Sequence, residues 1–206
     1  VVLARDLPAD AAFDGWTATA LRATAERLGV DADVAGLVFP DGALQMIDAW
    51  FASVDADMLD ACPAEGLATL KIRERITTLV ETRLALLAPY REALRRAQAI
   101  LANPMNAAVA TRLGWRAADV MWRAAGDQST DYNHYTKRAI LGSVYAATLL
   151  IFVNDESEDW ADTRAFLARR IDGVMRFEKA KAKLTGMAGK LPDPARFLGR
   201  LRYPAV

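Results

Sequence analysis

Apolar positions recur at three- and four-residue intervals almost throughout the chain, and no long stretch alternates every second residue. That pattern predicts helices and no sheet. A first short helix is expected from Val2 to Phe13, with Gly15 as punctuation. TATALRATAERLG follows, with Thr17 as N-cap and Gly29 as the stop. GVDAD forms a tight turn, and DVAGLVF a short helix ended by Pro40. Asp41 is expected to cap a helix from Gly42 to about Cys62, which puts Leu44, Ile47, Trp50, Phe51, Val54 and Met58 on one side. A longer helix is expected from Leu67 to Leu87, with Ile72, Ile76, Leu79 and Leu87 on one stripe. Pro89 starts another, Tyr90 to Leu101, and Asn103 with Pro104 opens the next, to about Ala125, where Gly126 ends it. Helices over 131–153 and from 157 to about 183 follow, and PARFLGRLRY closes the chain after Gly and Pro breaks. The expectation is an all-α fold of about ten helices.

The run AILGSVYAATLLIFV, 139–153, carries no charge. As a helix it spans about 22 Å, short of the ~30 Å hydrocarbon core of a bilayer, so it is expected to be a helix buried on two sides. Thr136, Ala139, Gly142, Ser143, Ala146 and Ala147 form a small-residue face suited to close helix approach or a dimer interface. Leu141, Val144, Tyr145 and Ile151 form a bulky face that points inward. Two charges fall on apolar faces: Arg83 beside Ile76, Leu79 and Leu87, and Asp119 beside Trp115 and Trp122. They are expected to meet as a buried pair, either a structural salt bridge or a polar anchor at the end of an apolar pocket.

The 206 residues suit one domain or a two-part fold. At 53% hydrophobic residues the chain buries a real core. Its 26 basic residues balance its 26 acidic ones, against a generally nucleic-acid-binding surface. A single Cys excludes a disulfide framework or a cysteine-based metal site, and a single His excludes a His-pair site. Ala occurs 41 times and Gly 12, a helix former's composition. Arg outnumbers Lys 20 to 6, which suggests a high-GC bacterial gene, and no secretory hydrophobic region opens the chain. The charge is uneven: residues 1–62 carry net −8 and residues 176–206 net +6.

No phosphate-binding glycine loop or nucleophile elbow is present. Cys62 ends an acidic helix, where a thiolate is disfavoured. His134 has no nucleophile or orienting motif beside it. Asp155, Glu156, Glu158 and Asp159 sit at a helix start, where carboxylates cap and favour the dipole. No catalysis, cofactor or metal is expected.

The segment GWTATALRATAERLGVDADVAGLVFPDGALQMIDAWF resembles the helix-turn-helix region of TetR-type repressors, through Gly15-Trp16-Thr17, Ala25 to Val30 and Phe39-Pro40. In those repressors the second helix carries polar and basic groups into the major groove. Here it reads Asp31 to Phe39, with two carboxylates and no base-reading Arg, Asn or Gln. Phosphates are repelled by such a head, so the fold is expected to be kept and DNA binding lost.

LKIRERI…VETRLALLAPYREALRRAQAILANP and MWRAAGDQSTDYNHYTKRAILGSVYAATLLIFVNDESEDWADTRAFLARRIDGVMRF are more specific. Together they resemble the ubiquinone-biosynthesis accessory protein family of TetR-like fold, the lipid-binding partner of the demethoxyubiquinone hydroxylase. The resemblance runs from about Phe13 to Phe177. It implies a homodimer of about ten helices with a helix-turn-helix-like head, 1–62, a lipid-binding and dimerisation body, 63–190, and a membrane-contact segment, 191–206. It implies a non-enzymatic protein that binds a prenylated quinone or other isoprenoid lipid and presents it to the hydroxylase. The expected lining is Leu79, Leu86, Tyr90, Trp115, Met121, Trp122, Tyr145 and Leu149. The expected hydroxylase patch is Asp127, Ser129, Thr130, Asp131, His134, Tyr135, Lys137 and Arg138, with His134 where the family commonly has Trp. Arg196, Phe197, Leu198, Arg200, Leu201, Arg202 and Tyr203 make a basic amphipathic segment suited to an anionic membrane. The expected location is the bacterial cytoplasm, peripheral on the inner membrane, and mitochondrial for eukaryotic members. No nucleic-acid partner is expected; the alternative is a TetR-type ligand-responsive regulator.

Overall fold

The structure, a computed structural model, describes residues 2–128 and 132–188. Among these are ten α-helices: α1 (Val2–Asp14), α2 (Ala18–Arg27), α3 (Ala32–Val38), α4 (Ala43–Ala61), α5 (Ala64–Ala68), α6 (Ile72–Leu87), α7 (Arg91–Leu101), α8 (Ala107–Ala124), α9 (Tyr132–Phe152) and α10 (Ala161–Ala188). No strand occurs among the described residues. The chain divides into two compact units, with the dividing point between Ala168 and Arg169, within α10. The second unit holds the C-terminal part of α10.

Helix boundaries follow local chemistry. The Thr17 hydroxyl accepts from the Ala20 N–H to start α2, and the chain leaves that helix through Gly29 at φ +67°. Asp31 accepts from the N–H groups of Asp33 and Val34 to start α3. At α4 the expectation is corrected: Gly42, at φ +64°, occupies the cap position, and no side chain caps the helix. The single helix expected from Leu67 to Leu87 is also two helices. The chain leaves α5 at Thr69, whose hydroxyl donates to the Gly66 carbonyl, and the Glu74 carboxylate accepts from the Lys71 N–H to start α6.

The core of the first unit is aromatic at one end. Trp50 of α4 lies 5.2 Å from Trp16 and 5.1 Å from Phe51, with Tyr90 edge-on at 6.5 Å. Trp16 donates from Nε1 to the Ala93 carbonyl at 3.0 Å, so the head is tied to α7. α1 packs on α2, α4 and α7, α4 packs on α6, and α8 packs on α9. The last carbonyls of α9 are satisfied from α7: Arg91 donates to Phe152 O at 2.7 Å and Arg95 to Val153 O at 2.7 Å.

Asp155 sets the entry to α10. Its carboxylate accepts from the N–H groups of Ser157 (2.9 Å) and Thr163 (2.8 Å) and from both hydroxyls. Burial opposes its charge, but these four donors outweigh burial and hold the carboxyl far below the ordinary carboxylate range. The group is therefore fully stabilising at neutral pH, and its contribution fades as pH falls below about 4. Asp155→Ala is expected to lower stability by about 1–2 kcal/mol at pH 7. In denaturation series the gap between wild type and variant narrows at acid pH; a gap independent of pH contradicts this account.

Candidate functional site

α8 and α9 approach closely because small residues meet. A Cβ built on Gly142 would stand 3.5 Å from the Gly114 carbonyl oxygen and 3.8 Å from the Ala118 Cβ. Beside this contact α4, α6, α7, α8 and α9 leave a cavity of about 260 Å³. Phe51, Leu101, Leu113, Ala117, Leu149 and Leu150 give it apolar walls. Leu150 is 62% exposed and marks its outer side. Arg83, Asp55 and Tyr145, all buried, form a polar end.

That end is a charge network. Arg83, only 1% exposed, donates from Nε to the Tyr145 hydroxyl oxygen at 3.0 Å and from Nη1 to Asp55. Arg116 donates from Nε to the other Asp55 oxygen at 3.1 Å and from Nη1 to Asp48, which also pairs with Arg112 at 2.9 Å. Burial opposes the charge of Arg83, but Tyr145 and Asp55 outweigh it and hold the guanidinium protonated.

The expected Arg83–Asp119 pair is corrected. Both charges are ion-paired, with other partners: Asp119 binds Arg138 of α9 at 2.5 Å and Arg123 at 2.9 Å. A helical face gives a direction, not the helix that stands opposite. Arg83 finds α4 and α9, and Asp119 finds α9 and its own helix. Asp55 was legible as an acid on the stripe of Phe51, Val54 and Met58, and it is the residue that sequence reasoning missed.

Of the eight residues expected to line a lipid pocket, Tyr145 and Leu149 line this cavity. Leu79 and Met121 are fully buried in the core, and Leu86 and Tyr90 are half-buried. Trp115 is tilted against Tyr135 at 6.1 Å, and Trp122 donates from Nε1 to the Lys137 carbonyl at 3.0 Å. Leu101, Leu113, Ala117 and Leu150, which line the cavity, were not singled out in the sequence.

At the start of α9, Arg138 is 2% exposed and bound to both Asp119 and Asp127. Lys137 Nζ lies 2.6 Å from Asp127 Oδ1 and over the Trp122 ring. Tyr135 is 62% exposed, with His134 edge-on at 5.1 Å. Ser129, Thr130 and Asp131 lie outside the described residues, as do Arg196, Phe197, Leu198, Arg200, Leu201, Arg202 and Tyr203. On α3, Val34, Leu37 and Val38 are exposed beside Asp31 and Asp33. Among the described residues no helix is long and apolar enough to cross a membrane, and no cluster of His, Cys, Asp or Glu has the arrangement of a metal site.

The COQ9 family model matches residues 107–178, which span α8, α9 and much of α10. The mitochondrial ubiquinone biosynthesis protein COQ9 of Rattus norvegicus is 37% identical over 183 residues, covering 84% of this chain and 58% of the relative. That of Homo sapiens is 36% identical over the same length, covering 84% and 57%. The chain thus spans less than two thirds of the curated relatives it matches. These relatives, and a probable coq9 protein of Dictyostelium discoideum, are mitochondrial proteins of eukaryotes. That overturns the expected placement in a bacterial cytoplasm on the inner membrane. The expectation leaned on arginine usage, which reflects codon composition and encodes no cellular address. Among solved structures, the TetR transcriptional regulator from Nitrosomonas europaea superposes with a TM-score of 0.62 at 28% identity, over 82% of this chain and 95% of that one. The matched body and the superposed helices together make the chain a homologue of the COQ9 family on a TetR-like, all-helical fold.

Proposed function

We propose that the chain is a non-enzymatic accessory protein of ubiquinone biosynthesis, which takes a prenylated quinone intermediate into the α4–α9 cavity and presents it to the demethoxyubiquinone hydroxylase at a membrane surface. The observation that carries this reading is an apolar-walled cavity that reaches the exposed Leu150, with much of its wall in the stretch that matches the COQ9 family. Its volume, about 260 Å³, lies just under the range of about 300–1,000 Å³ common for small-molecule sites. It suits a ring and the first part of a tail, with the remaining isoprene units against the outer apolar face or a bilayer. The lipid gains by apolar contact what it loses on leaving the membrane.

Tyr135 is the natural centre of a hydroxylase-docking surface, as an exposed aromatic whose neighbours Arg138 and Asp127 fix the start of α9. The basic segment around Arg196 to Tyr203 is the proposed membrane contact, and a homodimer is part of the same reading. In liposomes that carry the hydroxylase and its prenylated substrate, addition of this protein is expected to raise turnover. Tyr135→Ala is expected to weaken hydroxylase binding about tenfold or more while lipid uptake is unchanged. No rise in turnover with the wild-type protein contradicts the proposal.

The likeness to a TetR regulator favours a second reading, ligand-responsive DNA binding. The exposed surface of α3 opposes it, since it offers carboxylates and aliphatic groups where the groove needs donors and positive charge. Salt-sensitive binding to a defined duplex would support that second reading.

A further inference from the structure

The polar end of the cavity has hydrogen-bonding capacity that the protein does not use. The Tyr145 hydroxyl accepts from Arg83 Nε at 3.0 Å, which occupies a lone pair and leaves its proton to donate. Among the described residues that proton has no acceptor. Asp55, the nearest carboxylate of the network, is taken up by Arg83 through one oxygen and by Arg116 through the other. Arg83 engages the protein through Nε and Nη1. The Tyr145 and Arg83 side chains are more than nine-tenths buried, and both line the cavity.

A buried hydroxyl donor at the inner end of an apolar space makes a site for an oxygen acceptor. Around it the guanidiniums of Arg83 and Arg116 balance the carboxylates of Asp55 and Asp48. A donor in a dry site strongly favours ligands that can accept, because a ligand that cannot leaves it unpaired.

We propose that the Tyr145 hydroxyl, oriented by Arg83, anchors a ring oxygen of the bound lipid, a quinone carbonyl or phenolate, so that the ring sits at the inner end and the tail points outward past Leu149 and Leu150. This rests on the cavity being the lipid site. Tyr145 then determines specificity for an oxygenated ring over a hydrocarbon of the same length. It also fixes which end of the lipid enters first.

The test uses two probes with one tail, decylbenzoquinone and decylbenzene, titrated against wild type and Tyr145→Phe. The expected result is that wild type binds the quinone about tenfold more tightly than the hydrocarbon. Tyr145→Phe loses that preference while it holds decylbenzene as wild type does. Equal weakening of both probes by Tyr145→Phe shows a packing role and overturns the anchor. So does a preference that survives the substitution. In either of those cases the apolar pocket stands. Failure of wild type to bind either probe overturns the anchor and the lipid reading together.

Discussion

Replacing Asp55 with alanine lowers stability by about 3–5 kcal/mol, the range for a buried ion pair that loses one partner. The reason lies with what is left behind. Arg83 is 1% exposed, and Asp55 is the carboxylate that answers its charge. Arg116 loses a partner as well, though Asp48 still holds it. Asp55→Asn keeps an acceptor and costs less. Replacing both members, as Asp55→Leu with Arg83→Met, restores much of the loss, because an apolar pair of similar size carries no desolvation penalty. Urea denaturation of the three variants measures this directly. A loss below about 1 kcal/mol for Asp55→Ala would place the pair with exposed salt bridges and contradict its burial.

The second large effect concerns the cavity. Ala117 is buried on its wall, so a larger side chain there is expected to extend into the cavity. Ala117→Phe is expected to fold with stability equal to or above wild type, since it adds apolar burial without overpacking. It is also expected to reduce lipid uptake from liposomes about tenfold or more. The two readouts together identify a functional void. Reduced stability would mean the space is too small for the ring, and unchanged uptake would mean that lipid binds elsewhere.

Much of the fold was legible because helices announce their own faces. The stripe of Ile47, Trp50, Val54 and Met58 gave α4, and all four are buried. The small face around Gly142 gave the close approach to α8. The break before α6 was hidden, because no Gly or Pro stands between Ala68 and Ile72 and the turn rests on Thr69 and on the Glu74 carboxylate folding back to Lys71. Arg83 was legible as a charge in the wrong place, whereas its partner was not, since pairing depends on which helix lies opposite. Arg138 sits in a polar run and reads as surface, yet two carboxylates bury it. The cavity is the least legible feature. It is a space between five helices, and its walls use the small and ordinary residues Ala117, Leu101 and Leu113, which no pattern marks.

The central claim is that this chain holds a prenylated lipid, and native mass spectrometry after incubation with liposomes that carry a prenylated quinone tests it most directly. The account predicts one quinone per subunit, recovered by organic extraction, and reduced occupancy for Ala117→Phe. A lipid-free protein that takes up no quinone under these conditions would contradict it.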